Sequence, residues 1–246
     1  MTEAQPLGHR IVHQERNGLR HVHEIFYPET AGACPGILMT PNFFGPSDSA
    51  REHARSIARH GYTVMMVDMF SESVRPQDRA QAVDAITPLL GDHLEMRARI
   101  RAALDCFRRE AADRLTGPDH IAAVGFCFGG CVSLELARDG ADLRAAISFH
   151  GRLTTPNPAD ARKIRAPILV LHGAEDPGVT QDSVSGFIRE MREAEVDDWQ
   201  LVQYSKTVHS FTEPSANIPG QAEYNPRSSR RAFALMYALL DEVFAA

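Results

Sequence analysis

Ten residues, Ile121 to Gly130, constrain this 246-residue chain more than any other stretch. The apolar run Ile121-Ala122-Ala123-Val124 leads into Gly125-Phe126-Cys127-Phe128-Gly129-Gly130 and then directly into an apolar helical pattern. The order is strand, tight turn and helix, with a cysteine at the apex of a G-x-nucleophile-x-G pattern. A side chain at Gly125 or Gly129 would crowd a turn that holds its central residue in a strained conformation. The sulfur would stand at a helix N-terminus, where the dipole and the N–H groups favour a thiolate. The competing reading is a buried structural cysteine in a glycine-rich turn.

Residues downstream favour the chemical reading. A nucleophile needs a base, and the base needs a group to orient it. The apolar segment Ala166-Pro167-Ile168-Leu169-Val170-Leu171 reads as a buried strand and runs into His172-Gly173-Ala174-Glu175-Asp176. The next alternating segment, Trp199 to Tyr204, is followed by Val208-His209-Ser210-Phe211. Cys127, Asp176 and His209 therefore each follow their own strand, in the order nucleophile, acid, base, at the ligand-binding edge of a parallel sheet. In this arrangement His209 takes the thiol proton, Cys127 attacks an acyl carbon, and Asp176 fixes the imidazole. The oxyanion would be met by the Phe128 N–H and, from the loop Pro41-Asn42-Phe43-Phe44-Gly45, by the Phe43 N–H.

At these residues the sequence resembles the dienelactone hydrolase family of α/β-hydrolases. The likeness lies in Gly125-Phe126-Cys127-Phe128-Gly129-Gly130, in His172-Gly173-x-x-Asp176 and in His209-Ser210-Phe211. It extends to Phe44-Gly45, Gly61-Tyr62 and Asp68-Met69-Phe70, and spans roughly residues 8 to 245. The resemblance implies a cofactor-free and metal-free hydrolase that opens small esters or lactones through a cysteine acyl-enzyme. It implies Cys127, Asp176 and His209 as the triad. Well-known members carry a glutamate where Asn42 stands, and Asn42 can hydrogen-bond a thiol or substrate but cannot act as a carboxylate base. They also hold a substrate carboxylate with two arginines, at positions that here correspond to Glu72 and Glu213. Like charges repel, so these two residues, with Arg75 able to offset them, point to a neutral or cationic substrate. Glu72 and Glu213 read as solvated loop residues would remove that argument.

The remaining site candidates are apolar or aromatic. Phe44 and Phe211 would line an acyl pocket, and His150, at the end of a strand, could touch substrate. His172 reads as a satisfied structural histidine. Cys131, one helical turn from Cys127, reads as packing. His21 and His23, on one face of a strand, read as solvated.

Composition excludes several classes. The formal net charge of −6 argues against a nucleic-acid or anionic-membrane surface as partner. No stretch approaches the ~20 apolar residues of a membrane span. Four cysteines without scaffold spacing and an N-terminus without a signal pattern fit the cytoplasm. The chain is expected to be a monomer or a small homo-oligomer.

The expected architecture is one α/β-hydrolase domain over residues 1–246, with 1–7 as a loose tail. A hairpin around Asn17-Gly18 precedes a mostly parallel central sheet with helices on both faces. Gly151 to Arg165 is too short for a large lid. The segment 70–92, carrying Pro76 and Pro88, reads as irregular and as the shaper of the substrate pocket. Helices are expected near 47–60, 94–113, 129–138 and 181–194, with a C-terminal helix after 204. Two other uses of such a thiol are acyl transfer or peptidase-like cleavage, and a non-catalytic ligand-binding or redox-sensing role.

Overall fold

The computed structural model describes residues 5–245. Asn17 and Gly18 both take positive φ, 50° and 75°, the left-handed pair that a two-residue hairpin requires. They join β1 (Leu7–Arg16) to β2 (Leu19–Pro28) in antiparallel register. Leu7 already pairs with Pro28, so the expected loose tail ends before it. The first four residues of that tail lie outside the described residues.

Two compact units follow one another along the chain, the first ending at Ala123 and the second beginning at Val124. The strand order is β1-β2-β4-β3-β5-β6-β7-β8, an eight-stranded mixed sheet of the α/β-hydrolase fold. In the first unit β3 (Gly36–Thr40) and β4 (Thr63–Met66) pair in parallel, and both are buried throughout. Between them lies α1 (Asp48–Arg59), whose N-cap Ser47 accepts from the Ala50 N–H. Then come α2 (Arg79–Gly91) and α3 (His93–Glu110), and the unit ends part-way through β5 (Ile121–Phe126).

Helix α2 corrects the irregular reading of 70–92. Asp78 caps it, accepting from the Gln81 N–H, and Pro88 falls in the last turn, where it removes a single helical hydrogen bond. Pro76 lies ahead of the helix and does not interrupt it. The strand histidines are a second correction. His21 and His23 are buried, not solvated: His21 Nδ1 bonds the Asp68 carbonyl, and His23 Nδ1 accepts from the Asp68 N–H. Burial pushes the His23 pKa down to about 4.

The second unit carries α4 (Phe128–Arg138), β6 (Ala146–Phe149), a 3-10 turn (Pro158–Lys163) and β7 (Ile168–Gly173). It continues with α5 (Gln181–Glu193), β8 (Trp199–Tyr204), a short hairpin of β9 (Asn217–Ile218) and β10 (Ala222–Glu223), and α6 (Pro226–Ala245). Strands β6, β7 and β8 are parallel, so the loops after them leave from the same edge. Met236 and Leu240 of α6 are core, as their helical spacing predicts, while Phe233, Tyr237 and Phe244 are half-buried. Among the described residues no helix is long and apolar enough to cross a membrane.

One ionic cluster ties α4 to its surroundings. The buried Arg138 guanidinium donates to both oxygens of Glu190 on α5 at 2.7 and 2.8 Å, to Glu135 at 2.9 Å and to the Leu153 carbonyl at 2.9 Å. Desolvation works against the charge on Arg138, and the two carboxylates hold its pKa above the ordinary value. Removing one member of such a buried set is far costlier than its net contribution, because the remaining charge stays out of water. Arg138→Met is expected to cost about 3–5 kcal/mol, read as a lower urea midpoint at unchanged slope.

Candidate active site

The close approach of two backbone segments shapes the turn after β5. A Cβ on Gly125 would lie 1.9 Å from the Gly129 carbonyl oxygen and 2.6 Å from the Gly130 nitrogen, so only glycine lets α4 start this close to the strand. Cys127 takes φ 54° and ψ −115° at the apex, a sparsely populated conformation that costs about 1–3 kcal/mol. Its N–H is anchored to the Phe149 carbonyl of β6 at 2.9 Å. The strain is held in place from both sides.

Asp176 is set by the loop leaving β7. Its N–H bonds the Gly173 carbonyl at 3.1 Å, and its Oδ1 accepts from the Gly178 N–H at 2.8 Å. The other oxygen, Oδ2, meets His209 Nδ1 at 2.7 Å. Gly173 makes this possible, since a Cβ there would stand 2.6 Å from the Thr207 carbonyl oxygen and 2.7 Å from that of Val208. The loops carrying acid and base are also laced together, Glu175 N–H to the Thr207 carbonyl and Ala174 N–H to the Tyr204 carbonyl, both at 3.0 Å.

His209 is fixed by the small hairpin that follows it. Its N–H reaches the Gln221 carbonyl at 3.2 Å, and its carbonyl accepts from Glu223 at 3.1 Å. The ring nitrogen Nε2 lies 3.0 Å from Cys127 Sγ. A chain of hydrogen bonds thus runs from carboxylate through imidazole to sulfur. A quarter of the His209 side chain is exposed and none of that of Asp176, which places the base at the mouth and the acid beneath it.

The charges follow from this packing. Burial alone would lower the imidazole pKa, but the facing Cys127 sulfur and the hydrogen bond to Asp176 outweigh it and hold the pKa up at about 10. The ring therefore keeps its proton at neutral pH. One turn into α4, burial pushes the Cys131 thiol up to about 12, which makes it an inert packing group.

The other expected site residues fall in several places. Phe128 opens α4, and its N–H belongs to the first turn. His150 and Phe211 are buried rather than displayed at the surface, and the His150 ring packs edge-on to both His209 and Phe211. Glu213 is buried. Within the first unit, Asn42 accepts from the Phe44 N–H through its side-chain oxygen at 3.0 Å, and the rings of Phe43 and Phe44 pack at 4.6 Å. Glu72 is an exposed residue 3.6 Å from Arg20, and Arg75 is committed to the buried Asp68 carboxylate at 2.7 Å. A cavity of about 560 Å³ in that unit is bordered by Phe70, Val74 and Arg75, by Leu89 of α2 and by Arg99 of α3.

His172 departs from its expected role. It is buried beneath the site with a pKa lowered by burial, and among the described residues neither ring nitrogen has a hydrogen-bond partner. The sequence gives no signal for this. The anchoring hairpin β9–β10 also escaped the sequence, because strands of two residues have no readable alternation.

The profile of the dienelactone hydrolase family matches residues 24–244. The chain belongs to that family. A solved structure named m3DLH is 39% identical, with a TM-score of 0.89, covering 97% of this chain and 99% of its own. A dienelactone hydrolase-like promiscuous phosphotriesterase, P91, from metagenomic libraries is 36% identical, also at 0.89, covering 96% and 98%. A Bradyrhizobium protein named as a probable 2-oxo-3-(5-oxofuran-2-ylidene)propanoate lactonase is 24% identical over 207 residues, 80% of this chain and 81% of that protein.

The titration of His209 is directly testable. Because its pKa is raised on folding, the stability this proton contributes is complete below the unfolded value of 6.5 and is lost as pH rises through about 10. Ring NMR is expected to show an imidazolium at neutral pH with a midpoint near about 10. In Cys127→Ala the midpoint falls, since the sulfur is the largest of the raising influences.

Proposed function

We propose that the protein hydrolyses small, non-anionic esters or lactones through a thioester formed on Cys127. The hydrogen-bond chain of 2.7 Å from Asp176 to His209 and 3.0 Å from His209 to Cys127 carries this reading. With the proton on His209, the sulfur opposite can act as a thiolate and attack the acyl carbon without waiting for a proton transfer. The Phe128 N–H, at the start of α4, is the donor assigned to the oxyanion. As the tetrahedral adduct collapses, the ester C–O bond breaks and His209 gives its proton to the departing oxygen. A water then attacks the thioester, His209 takes the proton of that water, and the carboxylic acid leaves with the sulfur restored. Asp176 keeps its hydrogen bond to Nδ1 throughout and holds the ring in place.

The charge preference rests on Glu213. It is buried four residues beyond His209 on the same loop, and a substrate carboxylate brought beside that loop would face a like charge. Glu72, exposed and beside Arg20, supplies no such argument.

A second activity has support from the likeness to the phosphotriesterase P91 over nearly the whole of both chains. A thiolate beside an imidazolium could attack the phosphorus of an aryl phosphotriester, with His209 protonating the departing aryloxide. Acyl transfer and thiol sensing use the same sulfur, but membership of a hydrolase family weighs toward water as the acceptor.

Cys127→Ala is expected to reduce turnover of a short-chain aryl ester by about a thousandfold or more, and His209→Gln to do nearly the same. Undiminished turnover in Cys127→Ala would remove the mechanism. A panel of esters and lactones that differ only in charge is expected to favour the neutral members, and a clear preference for carboxylates would overturn the role given to Glu213. Neutral aryl phosphotriesters in the same panel test the second activity, which predicts multiple turnovers lost in Cys127→Ala; a single stoichiometric burst would make them inhibitors.

A further inference from the structure

During the proposed cycle His209 loses one of its two ring contacts. Once the sulfur carries the acyl group, Nε2 must aim at a water, and the hydrogen bond that Nδ1 donates to Asp176 remains. A single in-line hydrogen bond leaves a ring free to tilt and swing about it, and misplacement of a base by about 1 Å can cost a hundredfold in rate. The question is what holds the ring in the acyl-enzyme.

His150 stands at the right place. Its ring packs edge-on to that of His209, with centroids 5.1 Å apart and planes at 66°, and edge-on to Phe211 at 5.2 Å and 78°. Its Nε2 shares a hydrogen bond of 2.8 Å with Thr212 Oγ1. Thr212 lies three residues beyond His209 on the same loop, so His150 is bolted to the segment whose first side chain it braces. Both residues are buried, at 1% and 2% exposure.

The backbone at His150 is itself arranged for this. Its φ is +41°, a left-handed conformation disfavoured for a residue with a Cβ, and its N–H is tied to the Leu171 carbonyl of β7 at 2.8 Å. The conformation ends β6 abruptly and is held by the same strand whose loop carries Asp176. Ser210, with φ 55°, makes a matching bend between His209 and Phe211. Strain of this kind persists where surrounding structure over-determines it, and here it clusters around one ring.

We propose that His150 and Thr212 form a positioning pair that keeps the His209 ring aimed during hydrolysis of the acyl-enzyme. The inference rests on the cysteine-thioester reading above. Neither residue touches the reacting atoms. Attack by the sulfur, with His209 still held at both nitrogens, depends on the pair weakly; attack by water depends on it strongly.

Thr212→Val removes the hydroxyl while keeping the shape, and Thr212→Ser keeps the hydroxyl. For an activated aryl ester, Thr212→Val is expected to lower kcat by about tenfold while kcat/KM, which reports formation of the thioester, stays within about twofold. The thioester on Cys127 should accumulate in quenched mass spectra, alkylation of Cys127 by iodoacetamide should keep its rate, and Thr212→Ser should recover most of kcat. His150→Phe, which keeps the ring but not the hydrogen bond, should show the same split. A role in packing alone would lower kcat and kcat/KM together, through loss of folded enzyme. That result, or an unchanged kcat in Thr212→Val, overturns the proposal. If hydrolysis by the wild type does not depend on Cys127, the thioester reading fails first and takes this one with it.

Discussion

The second unit is organised around a contact that no side chain can enter. The Gly129 carbonyl of α4 lies where a Cβ on Gly125 would be, and this closeness forces the chain through a left-handed residue at Cys127. An ordinary strand-to-helix connection would carry the cysteine into the first helical turn and turn its side chain toward the sheet. Here the sulfur is instead lifted clear of strand and helix, half-exposed and 3.0 Å from an imidazole. Behind it, the buried Arg138, Glu135 and Glu190 tie α4 to α5. A structural cysteine would need none of this, and Cys131, one turn on, shows the contrast: buried, weakly acidic and in ordinary helical geometry.

A second close approach sets the distance between acid and base. Gly173 lets the chain before His209 lie against the end of β7, and the paired hydrogen bonds of Ala174 and Glu175 hold it there. The consequence is electrostatic. Asp176 is sealed from solvent with both oxygens engaged, so its charge acts on the imidazole through a short hydrogen bond in a medium that screens poorly. The imidazole is also buried enough that, without the acid and the sulfur, it would lose its proton at neutral pH. Geometry and charge are one problem here, because moving either loop outward would admit water and weaken both.

What could be read from the sequence follows from how local each determinant is. The elbow, the hairpin at Asn17-Gly18 and the order of Cys127, Asp176 and His209 are written in short runs whose glycines and strand patterns have few other uses. Helix α2 was missed because two prolines dominate any local reading, although one precedes the helix and the other sits in its last turn. The buried pair His21 and His23 was missed for a different reason. Their strand alternates as a half-exposed strand would, and only the main chain at Asp68, more than forty residues away, makes burial of two imidazoles tolerable. Similarly, no local pattern distinguishes a brace such as His150 from a substrate contact, since its partners His209, Phe211 and Thr212 come from a loop some sixty residues on.

Family membership and local charge therefore speak to different questions. The hydrogen-bond chain depends on three side chains and two glycine approaches, each with little room for alternatives, and all five residues fall within the 24–244 stretch that matches the family. Substrate charge depends on single loop residues that face few structural constraints, and the two glutamates illustrate how differently such positions behave. Glu72 stands in solvent beside Arg20, where screening leaves its charge little reach. Glu213 is buried on the loop that also carries His209. The proposed preference for non-anionic substrates thus turns on one buried carboxylate, whereas the proposed reaction turns on the backbone around Cys127.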